Sequence, residues 1–132
     1  MLCAVLLLNA SCGGTWTDNE DNFKRVFGFA RPNEVQVLHS YYWKSAHWST
    51  EYRYYIELKA PNKFVDGLTS STLMTRATAS ATDSGVCGGE RPKWFLAKSP
   101  ERYEMWQPKS SAKYRVYRDK EDGELYVCDE RL

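Results

Sequence analysis

Nowhere does this 132-residue chain hold the run of about eighteen apolar residues that a membrane-spanning helix needs. It also lacks a G-x-S-x-G nucleophile turn, a glycine-rich phosphate loop and a C-x-x-C pair. Serine-hydrolase, nucleotide-binding and zinc-ribbon chemistry therefore have no motif here. Histidine is scarce, with two residues, His39 and His47. His47 and Glu51 are four apart, which on a strand separates them by roughly 13 Å, too far to share a metal ion. The formal net charge is +1, with both signs mixed along the chain. Without a basic stripe or an acidic tail, nucleic acid is not an expected partner. Acid pairs such as Glu101 and Glu104 read as a solvated surface. No catalytic, metal-ligating or cofactor-binding residue is assigned.

Aromatic residues are abundant: nine Tyr, five Trp and five Phe. They concentrate in Glu34–Ala60, which reads as one long β-hairpin. In its second arm Trp48, Thr50, Tyr52, Tyr54, Ile56 and Leu58 alternate with Ser49, Glu51, Arg53, Tyr55, Glu57 and Lys59. Successive strand side chains point to opposite faces, so this is one apolar and one mostly polar face. Face parity with Val35, Val37, His39, Tyr41 and Trp43 predicts a four-residue loop, Lys44–His47, that pairs Trp43 with Trp48 and Val37 with Tyr54. Tyr54 and Ile56 are then core. Arg53, Glu57, Tyr42 and Tyr55 fall on the solvent side, and Tyr42, Trp43, His47, Trp48 and Tyr55 form the candidate partner surface. Tyr and Trp supply rigid amphipathic area for a protein or a glycan.

Elsewhere the local signals are shorter. Phe23, Val26 and Phe27 have the spacing of a helical turn closed by Gly28. Pro61-Asn62 ends the hairpin and opens a short helix carrying Phe64, Val65 and Leu68. Thr75–Gly89 is nearly all small residues and reads as a long loop. Ser99-Pro100-Glu101 predicts a short helix with Tyr103 and Trp106 on one face. Lys113–Arg118 and Glu124–Cys128 form a second hairpin about Asp122-Gly123, with a five-residue loop setting Val116 against Tyr126 and Tyr114 against Cys128. These elements predict a small single α+β domain over residues 23–132. Two hairpins would give a roughly four-stranded antiparallel sheet, with one or two short helices on one face.

The start is different in kind. Leu2–Leu8 is an apolar run of seven, followed by Asn9-Ala10-Ser11-Cys12. This resembles a bacterial lipoprotein signal peptide, in which small residues precede a cysteine that is lipidated and becomes the mature N-terminus. The resemblance implies a signal over 1–11, lipidation at Cys12, a tether over 12–22 and anchoring to a membrane of the bacterial cell envelope. Of the four cysteines, Cys87 and Cys128 then remain as an even pair for a disulfide, or as two free thiols in a reduced protein. The other reading of Leu2–Leu8 is a buried N-terminal strand of a cytoplasmic domain.

The resulting expectation is an envelope lipoprotein that binds a partner or serves structurally, without catalysis. The rival expectations are a small envelope enzyme, hydrolytic or using a thiol such as Cys87, and a cytosolic partner-binding protein of the immunity type.

Overall fold

A computed structural model describes residues 13–46, 51–78, 87, 91–110 and 112–132. The expectation over Leu2–Ser11 and Cys12 falls outside them. Among the described residues seven strands form one antiparallel sheet. They are β1 (Gly14–Thr17), β2 (Gln36–Lys44), β3 (Tyr52–Lys59), β4 (Met74–Thr78), β5 (Tyr103–Pro108), β6 (Arg115–Asp119) and β7 (Leu125–Arg131). Their order across the sheet is β1-β2-β3-β7-β6-β5-β4. Two short helices, α1 (Asn22–Phe27) and α2 (Asn62–Thr69), lie on one face. The protein is thus mostly β, which corrects the expected four-stranded α+β arrangement.

The three strands beyond the two hairpins each had a misleading local signal. β1 occupies the expected tether, with Gly14 opposite Lys44 and Thr17 opposite Tyr41. β4 runs from Met74 into what reads as a small-residue loop; its pairing with β5 is non-local and leaves little trace in composition. In β5 the Ser99-Pro100 start yields a single 3-10 turn, Pro100–Arg102, after which the chain extends. Tyr103 and Trp106 therefore lie on opposite faces, as residues three apart must on a strand.

The hairpin between β2 and β3 exists, but in another register. Lys44 faces Tyr52, Tyr42 faces Tyr54 and Ser40 faces Ile56, and the register then shifts between Val37 and His39 so that Val37 faces Leu58. This irregularity inserts one residue at Leu38, and an inserted residue inverts face parity along the strand. Val37 can thus share a face with Tyr42, whereas an unbroken strand would place Val37 with Tyr41 and Trp43. The connection is also longer than four residues, since Ser45 N donates to Glu51 O at 3.1 Å.

The second hairpin is displaced by one residue, with Val116 against Val127 and Tyr117 against Tyr126. Its cause is Asp119, which stays in the strand and is fully buried. The Asp119 Oδ1 atom accepts the Glu121 backbone N–H at 2.8 Å, and Arg102 Nε reaches both carboxylate oxygens, at 2.9 and 2.7 Å. Gly123 takes φ 75°, a left-handed conformation that suits glycine, and closes the loop.

Both sheet faces are covered. Phe23 of α1 and Val65 of α2 pack with Tyr54, Ile56, Leu58, Val116, Leu125 and Val127 on the helical face. On the other face Tyr55, Tyr103, Met105, Tyr117, Tyr126 and Cys128 pack beneath Phe95 and Cys87. Tyr54 and Ile56 are buried as expected, but so are Tyr55, at 0% exposure, and Glu57. Arg53 is partly covered and donates to Glu130 Oε2 at 2.9 Å. Cys87 and Cys128 are joined by a disulfide with Cα atoms 5.9 Å apart and a sequence separation of 41.

A sheet covered on both faces should be equally sensitive on both. Ile56→Ala and Tyr55→Ala should each destabilise by about 2–5 kcal/mol in urea unfolding. A Tyr55→Ala cost under about 0.5 kcal/mol, as at an open surface, would contradict the covered second face. Cys87→Ser with Cys128→Ser should remove about 3–4 kcal/mol, the entropy of closing a loop of this length.

Candidate binding surface

The expected partner surface does not hold together. Tyr42 and Trp43 are half-buried neighbours that point to opposite faces, and Tyr55 is core. His47 and Trp48 lie outside the described residues. What forms instead is an aromatic row on the helical face, at the end of the sheet where β2 ends and β3 begins. Trp16 of β1 sits 6.2 Å from Tyr42, Tyr42 lies 6.0 Å from Tyr54, and Tyr54 lies 6.1 Å from Tyr52, between ring centroids. The last two pairs are nearly parallel, at 5° and 11°. Tyr54 is buried while Trp16, Tyr42 and Tyr52 keep part of their surface.

Charged groups fix the row at both ends. The Arg25 guanidinium from α1 lies 4.4 Å over the Trp16 ring. The Tyr52 hydroxyl donates to Asp129 Oδ2 at 3.0 Å. Burial first, then the Asp129 carboxylate that accepts its proton, push the Tyr52 hydroxyl up. Burial, with Asp129 as the lesser cause, pushes nearby Tyr114 up to about 12. These hydroxyls are neutral donors at physiological pH. The sequence carried Tyr42 and Tyr52 as aromatic residues of the hairpin, but Trp16 sat in the expected tether, with no periodic signal to place it.

The other face carries a polar row. The strand pairing aligns His39, Glu57 and Tyr126 across β2, β3 and β7. His39 Nδ1 lies 3.5 Å from Asp18 Oδ1, and its ring stacks on Trp94 with centroids 5.2 Å apart. The Tyr126 hydroxyl lies 3.1 Å from Glu57 Oε1 and 3.4 Å from Glu124 Oε2. Glu57 is 7% exposed. Burial, and then a hydrogen bond shared with Glu124, raise its carboxyl to about 7. A carboxyl poised there could serve acid–base chemistry. Here it is enclosed and accepts the Tyr126 hydroxyl. The sulfurs of Cys87 and Cys128 are bonded to each other, so neither supplies a thiolate.

Among the described residues no group of three or more His, Cys, Asp or Glu is placed to hold a metal ion. No helix among them is long and apolar enough to cross a membrane. No family model, curated protein or solved structure matches this chain.

The raised Glu57 carboxyl makes stability depend on pH. Its folded state holds the proton more tightly than the unfolded chain does. The stabilisation is therefore complete below the ordinary value of 4.5 and is lost as pH rises through about 7. Glu57→Gln should flatten that fall, leaving the variant more stable than the wild type above pH 7 by about 1–3 kcal/mol. Thermal midpoints measured across this range would check it. A parallel decline in both proteins would locate the titration elsewhere. Asp119 and Glu130 act in the opposite direction. Burial pushes each carboxyl up, but Arg102 and two backbone N–H groups at Asp119, and Lys113 and Arg53 at Glu130, more than offset it. Their net shift is downward, so their contribution is lost in acid.

Proposed function

We propose that this chain is a binding module held at a bacterial envelope membrane by a lipid on Cys12, acting through the aromatic end of its sheet rather than by catalysis. The observation that carries the binding reading is the Trp16–Tyr42–Tyr54–Tyr52 row. Half-exposed rings held by buried neighbours lose little freedom on binding, which is what an anchor residue needs. Export draws support from the apolar run before Asn9-Ala10-Ser11-Cys12 and from the buried cystine. Such cross-links persist in oxidising compartments and are rare in cytosol.

Two measurements test this reading. Cys12→Ser should move the protein from the membrane to the soluble fraction, and unchanged attachment would rule out lipid anchoring. A photo-crosslinking residue in place of Tyr52 should give adducts in cells, and one in place of Lys120 should not. Equal yields from the two positions would remove the aromatic end as the binding surface.

A further inference from the structure

The strand ends place several features together that the sequence keeps apart. β1 and β3 begin, and β2 and β7 end, at one and the same end of the sheet. Gly13 lies there, so close to the Ser45 and Ala46 backbone that a Cβ on it would collide with both. The chain entering the domain is thus fixed at this end with no slack. Cys12 is one peptide away, about 3.8 Å between Cα atoms, and Leu8 is no more than about 18 Å away along even a fully extended chain.

The same end is basic and amphipathic. Lys44, Lys113 and Arg131 are exposed there, and Leu132 is 65% exposed. Of the nearby acids, Asp129 accepts from Tyr52, Glu130 is held between Arg53 and Lys113, and Glu51 is half-buried. Tyr52 and Trp43 add half-buried aromatic rings. At the opposite end of these four strands the exposed acids Asp18, Glu20, Glu34 and Asp122 are interspersed with the exposed cations Arg31, Lys59, Lys63 and Lys98, the last 3.9 Å from Asp122. The far end is thus of mixed sign, whereas the exposed charges named at the near end are all cations.

From this juxtaposition we infer that the end of the sheet bearing Lys44, Tyr52 and Arg131 rests on an anionic lipid bilayer, which is the partner of the aromatic surface. The inference builds on the membrane-anchored reading above. Tyr and Trp favour the headgroup region, and cations beside them are drawn to anionic lipid. An anchor at Cys12 leaves no tether to let the domain turn away, because β1 starts two residues later. The opposite end, of mixed charge, then faces away from the membrane.

The test is lysine acylation footprinting of the full chain, read by mass spectrometry. Protein in vesicles of phosphatidylglycerol and phosphatidylethanolamine is compared with protein in neutral detergent. Lys44 and Lys113 should be protected severalfold by the vesicles, and Lys59 and Lys63 should not change. Lys44→Glu with Arg131→Glu should abolish the protection of Lys113 while leaving a lipidated protein in the vesicles. Equal labelling at both ends, or protection at Lys59, would overturn the inference. So would protection of Lys44 seen in native envelope membranes but absent from pure lipid, which would identify a protein as the partner. The intact mass separates the two readings. Protection with unmodified Cys12 keeps the contact and removes the lipid anchor, whereas a lipidated Cys12 with unprotected Lys44 does the reverse.

Discussion

The covalent link between Cys87 and Cys128 is the constraint on which the second face of the sheet depends. Cys128 sits on β7, the middle strand, beside Tyr55 of β3, and both are at 0% exposure. The covering chain from Cys87 to Leu96 includes no helix or strand among its described residues. It is held by the cystine, by the Tyr55 hydroxyl donating to Cys87 O at 3.2 Å, and by Phe95 inserted among Tyr55, Tyr117 and Tyr126. Irregular backbone rarely covers a core unaided, because its polar groups lack ladder partners. A cross-link to the central strand lowers the entropy of the alternatives and lets a short segment do so.

With that cover in place, residues that a one-sided sheet would leave in water become interior. Arg53 and Glu57 have the composition of a solvent face, and the structure accommodates them in two ways. Arg53 is neutralised by Glu130, which Lys113 also reaches, so charges of both signs meet at the margin of the core. Glu57 takes a hydrogen bond from Tyr126 and is favoured as a neutral acid by its burial and by Glu124. Burying an unpaired carboxylate is costly, and protonation is the cheaper outcome. The pH dependence of the fold follows from covering the second face.

The helical face has the opposite character. Phe23, Phe27 and Phe64 join α1 to α2, with ring centroids 4.6 to 6.0 Å apart, and pack over a core that includes Ile56, Leu58, Leu125 and Val127. Beyond the helices the same face runs out into the tyrosine row, where cover is incomplete. The aromatic surface is thus an extension of the core past its cover. Its rings are oriented by packing before any partner arrives, which is the basis for reading it as a contact surface.

The sequence by itself determined what depends on neighbours in the chain. Alternation in Tyr52–Leu58 marks a strand, Phe23/Phe27 before Gly28 marks a turn of helix, and Pro61-Asn62 marks the start of α2, because periodicity and capping are local properties. It left Cys87 and Cys128 either bridged or free, and the structure joins them. Only the tertiary structure decided register, face and strand number. The one-residue shift near Leu38 inverts the parity on which the hairpin alignment rested, and no residue type announces it. Asp119 pulls the second hairpin over by one residue through contacts with Arg102, seventeen positions away. β1 and β4 owe their pairing to distant strands rather than to their own composition. The aromatic row needed Trp16, from an apparent tether, beside Tyr42, and the basic end of the sheet needed Gly13, Lys44, Tyr52 and Arg131 together. Such meetings are set by the order of strands across the sheet, and chain order does not contain it.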